Sequence, residues 1–206
     1  ILPSFIIAAI KTKKCQRFSG FLWIKYVKSV AKILSYNNDL NIKKTNKQVK
    51  PFKHMKKIHF KIEINAPAQK VYNTMLGLSD KSTYEYWVSA FNPTSTYEGT
   101  WQEGSKIYFV GVDENGKKGG MVSMIEANQP NKFVSIKHCG FLDGDNEITT
   151  GELVEKWAGG LENYTYQEAN GITTVTVEMD AVEDYLDFFN ATYPKALDKL
   201  KEISER

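Results

Sequence analysis

Cysteine and histidine are scarce in this chain, and their scarcity excludes several classes of protein. The two cysteines, Cys15 and Cys139, lie far apart in the sequence and give no disulfide framework. The three histidines show none of the spacings of a zinc site. So little cysteine is typical of a reducing compartment, and we therefore expect a cytoplasmic protein without metal or cofactor.

Long apolar runs and catalytic motifs are missing as well. The apolar stretch Ile1 to Ile10 has about half of the roughly 20 residues that a membrane-spanning helix needs. The sequence contains no glycine-rich phosphate loop and no nucleophile elbow. We therefore expect no stable membrane insertion, and no motif identifies the chain as an enzyme.

Charge is divided unevenly along the chain. Residues 1–54 hold 12 of the 27 Lys and Arg residues but one of the 24 Asp and Glu residues. The remaining 15 basic and 23 acidic residues give residues 55–206 a net charge of −8. An acidic surface repels phosphate, so nucleic acid is not expected as a partner of this domain. The pattern predicts a basic leader, 1–54, followed by a globular domain, 55–206.

The leader is open to three interpretations. Phe18 to Leu34 could form a basic amphipathic helix of the membrane-surface type, followed by a disordered lysine-rich segment. Its richness in Phe, Ile, Lys, Asn and Tyr is also what translation of AT-rich DNA upstream of a true start at Met55 would give. A fragment of another domain is the third possibility.

Residues 55–180 carry the pattern of one strand, two short helices and a meander of strands. Lys57 to Asn65 alternates apolar and polar residues, which predicts a half-buried strand. Ala68 to Leu76 and Asp80 to Val88 have helical spacing. From Thr94 to Asp180, about six strands alternate with turn signals, and a short helix interrupts them after Thr149.

The last segment predicts a long amphipathic helix, Val182 to Ser204. Its apolar residues recur every three or four positions and include Phe189, Tyr193 and Leu197. A sheet with one apolar face needs a cover, and this helix is the only long amphipathic element available. The predicted fold is therefore α+β.

Several motifs resemble those of a known superfamily. They are Ile62-Glu63-Ile64-Asn65-Ala66-Pro67 with Val71-Tyr72, Tyr86-Trp87, Gly99-Thr100-Trp101 with Gly104-Ser105, and Tyr193-Pro194-Lys195-Ala196-Leu197. With the order of elements, they make residues 55–205 similar to the START/Bet v 1-like (SRPBCC) superfamily. Within it, the chain most resembles the small bacterial stand-alone form of the activator of Hsp-90 ATPase homologue domain.

The resemblance implies the helix-grip fold. A curved antiparallel sheet of about six to seven strands would wrap round the long C-terminal helix, with two short helices after the first strand and an apolar cavity inside. It implies no single function, because members include lipid carriers, plant defence proteins, polyketide cyclases and a co-chaperone. The separate N-terminal domain of the eukaryotic chaperone activators has no counterpart in residues 1–54.

Large aromatic residues, methionines and one histidine are the candidates for the cavity wall, since methionine adapts to irregular ligands and tyrosine offers a polar handle. They are Trp87, Phe91, Trp101, Tyr108, Met121, Met124, His138, Trp157, Tyr164, Phe189 and Tyr193. The same residues could equally form a solid core. We predict no catalytic residue: His138 and Cys139 would face opposite sides of a strand.

Carboxylates give no further indication of a catalytic site. Glu152, Glu155 and Glu162 are predicted to be solvated, as most carboxylates are.

Three functions remain open. The first is a small-molecule binding domain with an apolar or aromatic ligand in its cavity. The second is a polyketide cyclase-like enzyme, which would need a polar residue deep in the pocket. The third is a chaperone-interacting or other protein-binding domain, which would expose an apolar patch. We expect a monomer or a weak dimer.

Overall fold

An antiparallel sheet of eight strands is the central feature of the computed structural model, which describes residues 55–206. The strands are β1 (Met55–Ile64), β2 (Thr96–Gly99), β3 (Lys106–Val112), β4 (Lys118–Gln129), β5 (Phe133–Asp143), β6 (Asn146–Ile148), β7 (Leu161–Ala169) and β8 (Ile172–Val182). Their order across the sheet is β1-β8-β7-β5-β4-β3-β2, with β6 paired to β5. Our predictions for residues 1–54 lie outside the described residues.

Four helices accompany the sheet in this part of the chain: α1 (Ala68–Leu76), α2 (Lys81–Val88), α3 (Glu152–Glu155) and α4 (Leu186–Ser204). The first ends at Gly77, whose φ of 66° is left-handed and whose missing Cβ would lie 2.9 Å from the Cβ of Tyr84. The side chain of Asp80 caps α2 by accepting a hydrogen bond from the Ser82 N–H at 2.9 Å. The two short helices after β1 are therefore confirmed.

The C-terminal helix begins later than the sequence predicts. Strand β8 continues to Val182, which pairs with Met55, and a 3₁₀ turn, Glu183–Tyr185, leads into α4 at Leu186. The alternation of buried residues in β8 extends to Ala181, so the ladder with β1 takes these residues before a helix can form. From Leu186 to Ser204 the predicted stripe is confirmed, with Tyr193 and Leu200 completely buried.

Two apolar clusters lie on the two faces of the sheet. The larger fills the space between the inner face and α1, α2 and α4, and α4 packs against α1, α2 and β1. The smaller cluster lies on the outer face and contains Val110, Val122 and Leu142 with Tyr108 against them. A long helix held by a curved antiparallel sheet, with two short helices after the first strand, is the helix-grip α+β fold.

Two further features of the fold are the short strand β6 and the length and polarity of the helices. The short strand β6 pairs with the end of β5. Between residues 55 and 206, no helix is long and apolar enough to cross a membrane.

Candidate binding site under the C-terminal helix

Aromatic rings surround the part of α4 that faces the sheet. Trp87 from α2 meets Tyr164 from β7 edge to face at 6.5 Å, and its Nε1–H donates to the Met75 carbonyl at 2.8 Å. Phe91 meets Tyr193 of α4 edge to face at 5.0 Å. All four rings are buried, so they form a continuous aromatic wall between helix and sheet.

A second aromatic group continues this wall towards β2 and β3. The rings of Tyr84 and Trp101 lie 6.1 Å apart, and Phe109 packs against both. Tyr97 adds a half-buried ring, 5.0 Å from that of Tyr84. The Tyr84 hydroxyl and the Trp101 Nε1–H are buried, and neither has a hydrogen-bond partner. Such orphaned groups are rare in proteins and call for an explanation.

The most unusual feature of this interior is a buried carboxylate. Glu162 of β7 has no exposed surface, and its Oε1 accepts hydrogen bonds from the hydroxyls of Tyr164 and Tyr193. Its Oε2 lies 3.2 Å from the His138 Nε2. On the other side of that ring, the His138 Nδ1 lies 2.9 Å from the Ser123 Oγ. We call these five residues the Glu162 cluster.

Charge and burial determine the protonation of the Glu162 cluster. Burial lowers the pKa of the His138 imidazole below its usual 6.5, and the hydrogen bond with Glu162 offsets part of that shift. Burial also raises the pKa of Tyr164 and Tyr193 well above the usual 10.0, and the nearby carboxylate adds to the shift. An ionised Glu162 accepts hydrogen bonds only, so a neutral His138 carries its proton on Nε2 and accepts from Ser123 on Nδ1.

A β-bulge turns His138 into the interior. Val122 lies opposite Gly140, but the next residue, Ser123, lies opposite His138, so Cys139 is the extra residue. Gly140 is required here, because a Cβ would lie 2.4 Å from the Ile148 carbonyl oxygen of β6. His138 and Cys139 form no dyad with each other.

The buried state of Glu162 corrects the sequence prediction, which expected a solvated carboxylate. Glu152 and Glu155 are exposed, as predicted. The sequence does contain a signal for Glu162: it alternates with Tyr164 and Tyr166 along β7, and all three side chains are buried. The sequence prediction did not use this alternation and followed the general rule that carboxylates stay in contact with water.

Most of the predicted wall residues come together in the interior. Those in the larger cluster, or buried beside it in the Glu162 cluster, are Trp87, Phe91, Trp101, Met121, His138, Tyr164, Phe189 and Tyr193. Trp157 is half-buried and packs against the same cluster.

The structure places the remaining two predicted residues, Tyr108 and Met124, on the outer face of the sheet. Tyr108 pairs with Val122 and belongs to the smaller apolar cluster, and Met124 pairs with Lys106 on the same face. The Tyr108 hydroxyl donates to Glu147 at 2.7 Å, beside a surface cleft of about 100 Å³. These two residues are therefore separated from the interior by the sheet. The sequence prediction assigned them by residue type, without regard to the face of the strand.

A larger surface cleft lies between the two short helices. It has a volume of about 380 Å³ and is lined mainly by polar side chains of α1 and of the segment that leads into α2, among them Lys70, Asn73 and Asp80. Its polar, open lining differs from the aromatic interior under α4.

Comparisons with known proteins support the fold. No protein-family model and no curated protein matches the chain. Among solved structures, a protein from Arthrobacter aurescens is similar at 13% identity with a TM-score of 0.55, over 72% of this chain and 85% of that one. A protein from Nitrosomonas europaea is similar at 15% identity and a TM-score of 0.54, over 72% and 93%. The Aha1 dimer from Colwellia psychrerythraea is similar at 21% identity and a TM-score of 0.51, over 73% and 97%. At these identities the likeness supports the helix-grip fold and nothing beyond the fold.

Proposed function

We propose that residues 55–206 form a domain that binds a small, largely apolar or aromatic molecule between the inner face of the sheet and α4. The observation that carries this proposal is the Glu162 cluster, a charged and hydrogen-bonded group enclosed by aromatic rings. Binding sites for small molecules combine an apolar wall with a few polar groups of shifted pKa in this way.

An energetic argument supports the proposal. Removing a carboxylate from water costs several kcal/mol, and an apolar side chain of similar size would stabilise the same position at least as well. The fold alone therefore gives no reason to place Glu162 among tyrosines. Recognition of a ligand is a reason, because a polar group inside an apolar wall orients what binds there.

The proposed wall follows from the positions of the side chains. It consists of Trp87, Phe91, Trp101, Met121, His138, Trp157, Tyr164, Phe189 and Tyr193, with Tyr84, Ser123 and Glu162 added from the structure. Tyr108 and Met124 are left out because they lie on the outer face.

Titration with a panel of hydrophobic dyes, flavonoids and fatty acids tests the proposal. Tryptophan emission should change, since Trp87 and Trp101 lie in the wall, and the melting temperature should rise with ligand concentration. Phe189→Ala should weaken binding, whereas Lys195→Ala, at an exposed position of the same helix, should leave it unchanged. A panel in which no compound moves either signal would exclude the proposal.

A protein-binding function is the second candidate, with a chaperone as the possible partner. Four large apolar side chains, Leu78, Val112, Leu153 and Ile172, are more than a third exposed, and a similar fold occurs in a protein described as an Aha1 dimer. Sedimentation velocity over a range of concentrations tests self-association as a weak dimer. A monomer at every concentration, with no complex formed on adding a chaperone, would contradict this candidate.

A further inference from the structure

We infer that the ligand is electrically neutral and carries a hydrogen-bond acceptor, such as a ketone or ester carbonyl oxygen. The Tyr84 hydroxyl and the Trp101 Nε1–H donate hydrogen bonds to this acceptor. This inference rests on the proposed function and specifies the chemistry of the molecule that binds. It is carried by two buried donors of the aromatic wall that have no partner, the Tyr84 hydroxyl and the Trp101 Nε1–H.

The Tyr84 hydroxyl and the Trp101 Nε1–H are both hydrogen-bond donors without an acceptor. The side chains of Tyr84 and Trp101 are 1% and 6% exposed, and neither the hydroxyl nor the indole N–H has a partner. The Trp87 N–H and the Tyr164 and Tyr193 hydroxyls are satisfied. Buried side-chain atoms of Asn92, Asn163 and Ser204 also lack a partner, but they are not part of the aromatic wall. An indole N–H can only donate, so a ligand that satisfies it must offer an acceptor atom.

The two donors belong to one part of the wall. Their rings are in contact at 6.1 Å, and Phe109 lies 6.4 Å from the first and 5.7 Å from the second. The apolar surfaces of these rings suit an aromatic or aliphatic body, and the donors of two rings in contact suit a polar group carried by that body. A carbonyl oxygen has two lone pairs and can accept from two donors at once.

Charge argues against an anionic acceptor such as a fatty acid carboxylate. Trp87 connects the two donors to the Glu162 cluster, because its ring contacts both Tyr84 and Tyr164. The pKa of the Tyr84 hydroxyl is raised mainly by burial, and the charge of Glu162 adds to the shift. A second negative charge in this interior would be repelled by Glu162 with little screening by solvent.

Three naphthalene probes of similar size separate these possibilities: methyl naphthyl ketone, naphthoate and ethylnaphthalene. Each is titrated into the full chain, followed by calorimetry and by tryptophan emission. We expect the ketone to bind about 10-fold more tightly than the hydrocarbon, which corresponds to about 1.4 kcal/mol. Naphthoate should bind most weakly.

Removing one donor should remove that preference. Tyr84→Phe keeps the ring and should lower the ketone affinity about 10-fold while leaving the ethylnaphthalene affinity unchanged. Tyr108→Phe is the matched control, because Tyr108 lies on the outer face of the sheet, away from the proposed wall, and both affinities should stay as they are. Trp101→Phe should act like Tyr84→Phe on the ketone.

The outcomes distinguish the inference from the function on which it rests. Equal affinity for ketone and hydrocarbon, tightest binding of naphthoate, or an unchanged ketone affinity in Tyr84→Phe would each overturn the inference and leave the binding function standing. Failure of all three probes to bind the unsubstituted protein would count against the binding function itself, and the inference would fall with it.

Discussion

The hydroxyls of two tyrosines in the same interior differ in their hydrogen bonding, and we expect them to have opposite effects on stability. Tyr193 donates a hydrogen bond to the buried Glu162, whereas the Tyr84 hydroxyl is buried without a partner. We predict that Tyr193→Phe lowers the free energy of unfolding by about 2 kcal/mol, the usual contribution of a hydrogen bond to a charged group. Tyr84→Phe should raise it by about 1 kcal/mol, because it removes an unsatisfied hydroxyl.

Chemical denaturation of both variants measures these differences. The substitution is identical in each, so differences in ring packing cancel to a first approximation. A change of the same sign at both positions would show that the hydrogen-bond partners described here do not govern stability. A stabilised Tyr84→Phe with weaker ligand binding would mean that this hydroxyl is kept for binding at some cost in stability.

Buried tyrosines also determine the response to alkaline pH. Burial raises the pKa of Tyr84, Tyr164, Tyr166 and Tyr193 well above the usual 10.0. The folded protein therefore keeps protons that the unfolded chain releases, so the contribution of these groups to stability is complete below about pH 10 and is lost above it.

We predict a steep loss of stability as the pH rises above about 10, with these tyrosines ionising only as the protein unfolds. Tyrosinate absorbance and circular dichroism, followed together from about pH 8 to about pH 12, provide the measurement. If all the tyrosine absorbance changed while the dichroism stayed native, solvent would have access to these side chains.

Helix α4 is the element whose packing can be tested most directly. Leu197 is 2% exposed in the larger cluster, and Lys195, two residues before it, is exposed. We predict that Leu197→Ala lowers the free energy of unfolding by about 2–5 kcal/mol, the range for a buried leucine. Lys195→Ala should change it by less than about 0.5 kcal/mol. Equal effects in thermal or chemical unfolding would mean that the buried face of α4 is misassigned.

The boundaries of the elements show what sequence patterns resolve. The apolar stripe of α4 is readable from the sequence because its spacing of three and four persists for five turns. The start of α4 is not, because Val182 fits the helical stripe, and only its pairing with Met55 shows that β8 extends to it. Tyr108 and Met124 illustrate the same limit, since residue type gives no face without the register of the strands.

The described part of the chain is built as one unit. Every strand from β1 to β8 belongs to one sheet, and the larger cluster draws on residues from Ile64 to Leu200. We predict that a protein beginning at Met55 unfolds cooperatively, with a melting temperature close to that of the full chain. Thermal melts of the two forms, followed by circular dichroism, provide the test. A broad, non-cooperative transition in the shorter form would show that residues 1–54 are needed for the fold.

At the scale of the whole molecule, resemblance predicted more than periodicity did. Alternation and turn signals identify the strands but not which strand lies beside which. The helix-grip likeness predicted a curved antiparallel sheet around the C-terminal helix, which the structure confirms, whereas the order β1-β8-β7-β5-β4-β3-β2 comes from the structure alone. The Glu162 cluster could not be anticipated in this way, because it needs a bulge in β5, a particular face of β7 and a residue of α4 at one point.

The pairing of β1 with β8 constrains how the protein can be made. The first strand of the domain lies beside the last one, so that Ile64 is the neighbour of Thr173 and Met55 that of Val182. A ribosome releases β1 first and must synthesise more than a hundred further residues before its partner strand exists. Until then β1 has no neighbour in its sheet, and its unpaired edge is open to association with other chains. The sheet is therefore complete only once β8 has been synthesised, and helix α4, which follows β8 in the chain, closes over a sheet that has only just been assembled.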